Sequence, residues 1–284
     1  MRKTVFLMLG ILILMSVACS VSLPVIETSP KDIKTMNISI NPPLDDTITE
    51  VSIVMGAGKL NIQRGVAKLI EGSITYNVPQ WEPVVEQSNQ SIKLKQSAEG
   101  FNFSKLPIGE YRNEWELKLG AYPINFELQA GAYDGALDFS GIPLTGLAIT
   151  DGASSAQVIF NSPNPAQMEQ LSYKTGASNV TLSGLSNANF QEMVFVGGAG
   201  DYTLDFSGAL QHEATVDIES GVSSLEIVIP QDLSSKVIVS GNMIDTSTKG
   251  LWMVEDDTYY TEGTGPLLTI QVNTNLGSLT LIHE

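Results

Sequence analysis

The chain has 284 residues, 43% of them apolar, with one cysteine, two histidines and a formal net charge of −16. That length suffices for one or two domains with a real core. A single cysteine excludes an internal disulfide framework and a Cys-pair zinc site, and the acidic balance argues against nucleic acid or anionic lipid headgroups as partners.

The N-terminus carries Arg2 and Lys3, an apolar run from Val5 to Met15, and then Ser16-Val17-Ala18-Cys19. A basic start, a short apolar stretch and small residues before a cut describe an export signal, and the run is too short to span a bilayer. The only cysteine falls at the cut site. This reads as a lipobox, with residues 1–18 removed and Cys19 lipidated, although Ser16 stands where such motifs usually carry Leu. An ordinary cleaved signal and a retained anchor are the alternatives. The expected location is extracytoplasmic, tethered to the cell membrane or cell surface. Without Arg2 and Lys3, 13 basic residues face 31 acidic ones, a net −18. Residues 19–45, with Pro24, Pro30, Pro42 and Pro43, read as a spacer.

Residues 46–114 read as a β-rich N-terminal domain. It opens with Val51-Ser-Ile-Val-Met-Gly-Ala-Gly-Lys-Leu-Asn-Ile62 and continues with alternating stretches at Gly72–Val78 and Ile92–Leu94. Trp81 and Trp115 lie near its later half and end. Its expected role is to cap the first turn of a solenoid beginning at residue 115, because an open end exposes unpaired strand edges.

Residues 115–240 carry a repeat. Glycines at 131, 152, 176, 198 and 221 are spaced by 21, 24, 22 and 23 residues, and Gly56 heads an earlier copy. The places five and three before each glycine are apolar or aromatic in all six copies, from Val51 and Ile53 to Val216 and Ile218. Apolar residues recur six and eight places after, as in Leu137 and Phe139 or Ile227 and Ile229. Apolar residues two apart share one face of a strand. Each copy is therefore strand, glycine corner, strand, with glycine chosen for positive φ or for close backbone approach. Such turns bury their apolar faces only by stacking. The expected fold is all-β, a single-chain β-solenoid, right-handed β-helix-like, with turns of about 22 residues. A helical turn is expected only at Pro165–Leu171. Residues 241–284, with Trp252, Tyr259 and Tyr260, read as a closing cap whose last strands lie around Gly277.

Gly131-Ala-Tyr-Asp-Gly-Ala-Leu-Asp-Phe-Ser-Gly141 matches Gly198-Ala-Gly-Asp-Tyr-Thr-Leu-Asp-Phe-Ser-Gly208 at eight of eleven positions. With Gly56-Ala-Gly-Lys-Leu-Asn-Ile62, Glu71-Gly-Ser-Ile-Thr-Tyr-Asn77 and Glu114-Trp-Glu-Leu-Lys-Leu119, this motif resembles the toast-rack proteins, related to the bacterial adhesin-type solenoid domain. The likeness covers roughly residues 46–284. It implies a repetitive, surface-displayed β-structure and supplies no catalytic residues. A more distant resemblance is to the soluble part of cell-wall antibiotic-response proteins.

No catalytic constellation emerges. His212 and His283 have no Ser, Cys or Asp partners at informative spacing, and no metal or phosphate motif is present. His212 reads as solvated, and Asp134, Asp138, Asp201 and Asp205 as outward carboxylates, with weak calcium binding or a glycosidase acid pair as the alternative. Tyr133 and Tyr202 read as corner packing or as sugar-stacking aromatics. Val194, Val196 and Val228 form an apolar outer patch that either receives a partner or lies under a loop. Basic residues suited to an acidic polysaccharide are missing, since Arg64 and Arg112 both precede the repeats. The expectation is no enzyme, no cofactor and no metal. In its place stands a lipoprotein with a binding or scaffold surface, adhesin-like, for a glycan or an envelope protein. The alternative is an envelope-stress accessory docking to a membrane protein. A polysaccharide-active enzyme comes third.

Overall fold

The computed structural model describes residues 32–44, 47–65, 67–97 and 111–284. The leader, Cys19 and most of the expected spacer lie outside the described residues. Strands come in the order β1 (Lys34–Ile40), β2 (Thr49–Arg64), β3 (Ile70–Tyr76), β4 (Pro83–Gln87), β5 (Ser91–Gln96), β6 (Asn113–Leu119), β7 (Ile124–Asp138) and β8 (Leu144–Ile159). They continue as β9 (Met168–Ser183), β10 (Phe190–Asp205), β11 (Ala214–Ile229), β12 (Ser234–Lys249), β13 (Met253–Glu255), β14 (Thr258–Thr261) and β15 (Leu267–His283). The described residues contain no α-helix, only 3-10 turns at Pro79–Trp81 and Leu185–Ala188.

Each repeat copy is one long strand bent at its glycine. In β8, past the register shift that follows buried Leu144, the buried places before Gly152 are Leu147, Ile149 and Asp151; after it they are Ala156 and Val158, with Phe160 just beyond the strand. A straight strand would keep one parity inward. Here the inward set changes from odd to even offsets across the corner, so both arms of a rung face one interior. Ring contacts across the arms show this directly. Phe126 meets Phe139 edge-on at 5.2 Å, and Phe195 meets Tyr202 at 5.0 Å. Between rungs the same columns stack, Phe139 on Phe160 at 6.0 Å and Tyr173 on Phe195 at 5.9 Å.

The rungs pair in parallel and in register. Val51, Phe126, Leu147, Leu171, Met193 and Val216 occupy one column. The all-β solenoid expected from the repeat is therefore the fold. The ladder skips the corner itself: Gly197 pairs with Ser220 and Ala199 with Val222, but Gly198 and Gly221 form no bridge.

Several expectations are corrected. The spacer expected to run to residue 45 contains β1, which pairs antiparallel with β3 through Lys34–Tyr76 to Ile40–Ile70. Met36, Ile38 and Ile40 give that strand an apolar face that needs cover. The boundaries expected at 114 and 240 fall inside β6 and β12, and one core cluster runs from Ile38 to Leu281. Residues 165–171 do not form a helical turn: β9 begins at Met168, and Asn164 holds the bend by accepting from Ala166 N at 3.0 Å. The sheet does not end in chain order either. β15 inserts between β11 and β12, pairing Val216 with Ile270 and Val237 with Ile270. Residues 241–284 thus supply part of one rung and the whole of another, and the β13–β14 hairpin covers only Ser235–Ile238 of β12.

At the opposite end β2 divides its partners. Its first arm pairs with β5, which pairs with β4. Its second arm pairs with β6, followed by β3 and β1. Trp115 is fully buried there, its Nε1–H donating to Asn113 Oδ1 at 2.8 Å.

Candidate functional site

The corner glycines form a ladder, for one of the two reasons expected. None of Gly56, Gly131, Gly152, Gly176, Gly198 or Gly221 has positive φ. Their requirement is close approach. A Cβ at Gly131, Gly152, Gly176, Gly198 or Gly221 would sit 2.3–2.8 Å from the carbonyl oxygen of the preceding corner glycine. Gly56, in the first rung, meets nothing closer than Gln96 Oε1 at 3.5 Å. Positive φ occurs two places further on, at Gly200 (151°), and in the return turn at Gly141 (66°).

Beneath the corner lies a buried polar cluster that sequence reasoning missed. Asp151 is 6% exposed. Its carboxylate accepts from Tyr173 Oη–H at 2.9 Å, from Ser154 Oγ–H at 3.1 Å, from Ser178 Oγ–H at 3.2 Å and from Thr175 Oγ1–H. These hydroxyls, with Thr175 Oγ1 and Ser178 Oγ also bonded to each other, stand in for the water that burial removes, which is how a buried carboxylate is tolerated. Tyr133 Oη lies 3.4 Å from Tyr173 Oη. Burial pushes the phenols of Tyr133 and Tyr173 well above the ordinary tyrosine range, and burial likewise raises Tyr202. The place before the corner continues the inward alternation of Leu147 and Ile149; what hides it in the sequence is its polar side chain, which reads as solvent-facing.

Tyr133 and Tyr202 are both buried, at 4% and 1% exposure. They pack under the corner and offer no sugar-stacking face. They reach it from different places, the second and fourth after the glycine. In each rung a glycine takes the other place or a neighbour: a Cβ at Gly135 would lie 2.4 Å from the Tyr133 ring, and one at Gly197 would lie 2.4 Å from the Tyr202 ring. The Tyr/Gly exchange between the two near-duplicate segments is thus one packing solution reached twice.

Of the repeated carboxylates, Asp134 and Asp201 are exposed, as expected, and Asp138 and Asp205 serve turns. Asp138 Oδ1 accepts from Ser140 N at 2.9 Å. Asp205 accepts from Ser207 N at 2.8 Å and Ser207 Oγ at 2.9 Å. Leu-Asp-Phe-Ser-Gly therefore ends a rung: Leu and Phe point inward, Asp closes the bend, Gly turns the chain. His212 ties two return turns, with Nε2 3.1 Å from Asn189 Oδ1 and Nδ1 2.9 Å from Glu213 O. Buried Asn164 and Asn187 stitch the return side by bonding Leu144 O, Ala188 O and Phe160 O. Among the described residues no group of His, Cys, Asp and Glu could hold a metal ion, and no helix is long and apolar enough to cross a membrane.

What remains exposed and regular is the outer sheet face. On the first arm Val194 and Val196 of β10 are half-buried, next to Asp217 and Glu219 of β11 and then Gln271 and Asn273 of β15. A shallow groove of about 360 Å³ runs across this stretch, lined by Val194, Asp217, Glu219, Ser240, Gln271 and Asn273. Its chemistry is graded, from apolar through anionic to amide.

A search of curated proteins finds no match. Among solved structures the chain is similar to a "putative cell adhesion protein" from Clostridium sporogenes, at 18% identity and TM-score 0.47, over 89% of this chain and 100% of that one. It is also similar to a "putative adhesin" from Bacteroides fragilis, at 10% identity and TM-score 0.42, over 89% and 99%. A "putative adhesin" from Parabacteroides merdae matches at 12% identity and TM-score 0.32, over 91% and 99%. The family model described as the N-terminal domain of toast_rack, DUF2154, matches residues 27–183 and again 164–228. With the motif at Gly131–Gly141, the stacked bent rungs and this match over most of its length, the chain belongs to the toast-rack family.

Proposed function

We propose that this chain is a non-enzymatic cell-envelope lipoprotein whose rung faces serve as an adhesin-like binding or scaffold surface. The observation that carries this reading is the destination of its chemistry-bearing residues. Asp138, Asp205, His212, Tyr133 and Tyr202 are all engaged in turns and packing. The outer face of the first arm, by contrast, presents regular columns to solvent. A flat repeated face suits an extended partner better than a small substrate, and ligand pockets that do chemistry are concave with converging groups. Cys19 supplies the tether in this reading.

Two experiments test it. Metabolic labelling with palmitate, compared with Cys19→Ala, is expected to label only the parent chain; no label would remove the tether. A glycan array together with crosslinking in native cells tests the surface. Retention of glycan or an envelope protein that is lost in Asp217→Lys/Glu219→Lys supports the proposal. Turnover of a glycan, abolished by a point mutation, would replace it with an enzyme. Crosslinking to one stoichiometric membrane protein through Val194 and Val196 would favour the accessory reading, to which that half-buried apolar pair lends support.

A further inference from the structure

An open sheet has edges, and exposed edges pair with other chains unless something blocks them. Among the described residues this sheet ends in four: β4 and β1 at one end, β13 and the second arm of β12 at the other. Three carry blocking features. β4 has Pro83, which lacks an N–H, and Glu86. The second arm of β12 has Asp245 and Lys249, both exposed. β13 is three residues long and ends in Glu255.

β1 differs. After Lys34 its sequence is Thr35-Met-Asn-Ile-Ser-Ile40, without charge or proline, and it pairs on one side only, with β3. Ile38 and Ile40 are each 5% exposed and Met36 packs partly against the core, while Thr35, Asn37 and Ser39 are exposed. It is also the outermost strand of its end. The second arm extends past β2 by β6, β3 and β1, the first arm only by β5 and β4, and among the described residues no strand pairs with the outer edge of β1.

The strand is complementary to itself. A two-fold axis at Asn37 sets Met36 opposite Ile38, Thr35 opposite Ser39 and Lys34 opposite Ile40. Apolar side chains then meet on the core face and hydroxyls on the outer face, and no like charges oppose, which is what a stable antiparallel pair requires. A register slip by one residue would pair core-facing with outward places. We propose that the β1 edge is a self-association surface on which a second copy of this chain pairs antiparallel, extending the sheet across a two-fold axis. The contact is isologous and closes as a dimer. It is independent of what the outer face binds.

The test is sedimentation equilibrium of the full chain in mild detergent. The parent is expected to be dimeric. Asn37→Lys places two ammonium groups opposite each other at an exposed position and is expected to weaken the dimer at least about tenfold. Asn37→Asp does the same with carboxylates. An equimolar mixture of the two variants is expected to recover a heterodimer, which only folded chains can form. Ser224→Lys, the same charge on an exposed residue of β11, is expected to leave the dimer intact. A monomeric parent, or a dimer indifferent to Asn37→Lys, overturns the proposal.

Discussion

Gly176→Ala separates two accounts of the corner. If the glycine were needed for positive φ, alanine would be strained at every corner alike. The corner glycines have no positive φ, so a methyl group meets no backbone penalty at any of them. The difference is in what it touches. At Gly176 it would lie 2.4 Å from Gly152 O and 3.4 Å from the carbonyl carbon, all backbone of the neighbouring rung. A carbon and a carbonyl oxygen sit comfortably at roughly 3.3 Å, so the rungs must part by about 0.9 Å at a point where both are held by ladder bonds on either side. Overpacking of this kind costs about 1–3 kcal/mol, whereas Gly→Ala at a compatible backbone stabilises by about 0.4–1 kcal/mol. We expect Gly176→Ala to lose about 2 kcal/mol, roughly 4–8 °C in Tm for a chain of this size. Gly56→Ala, whose methyl meets only Gln96 Oε1 at 3.5 Å, is expected to be neutral or slightly stabilising. Paired thermal and urea unfolding of the two variants measures this. Equal losses, or a stabilised Gly176→Ala, would refute the glycine ladder.

Three further outcomes are expected. Asp151→Ala takes the acceptor from the hydroxyls of Ser154 and Tyr173 and from whichever of Thr175 and Ser178 does not donate to the other, and urea unfolding should show a loss of about 3 kcal/mol. The phenols of Tyr133 and Tyr173 are raised in the folded chain by burial. Their contribution is therefore full below the unfolded tyrosine value of about 10 and is lost as pH rises above it, since the unfolded chain then releases protons that the folded one retains. Absorbance titration should show phenols that ionise only with alkaline unfolding; ionisation of all tyrosines together before unfolding would contradict it. Asp205→Ala removes the acceptor of Ser207 N and Oγ at the end of β10 and should cost about 1 kcal/mol in the same urea assay. Binding by the outer face should be unchanged.

The rung itself was legible, and the chemistry of its positions was only partly so. Val51/Ile53 through Val216/Ile218 share an inward column because a strand alternates faces, and that periodicity needs no knowledge of neighbours. The Asp in Leu-Asp-Phe-Ser-Gly reads as outward, correctly, while its bond to Ser207 N depends on a turn that alternation does not describe. Asp151 and Thr175 escaped although they keep the inward parity of Leu147/Ile149 and Leu171/Tyr173. A polar residue at the end of an apolar alternation reads as leaving the core, and it is satisfied there by bonds to the neighbouring rung.

The sequence by itself determined an all-β chain of stacked, bent rungs, because each rung's two apolar faces are written locally, residue against residue. Only the tertiary structure decided which rung lies beside which. Nothing in Leu267–His283 says that it enters between β11 and β12, since parallel rungs with equivalent apolar columns are interchangeable partners until loop lengths and end caps choose among them. The same holds for β1, whose place depends on the open edge of β3, and for the glycine ladder, where the need for a missing side chain arises from the neighbouring rung's carbonyl and not from the glycine's own backbone angles.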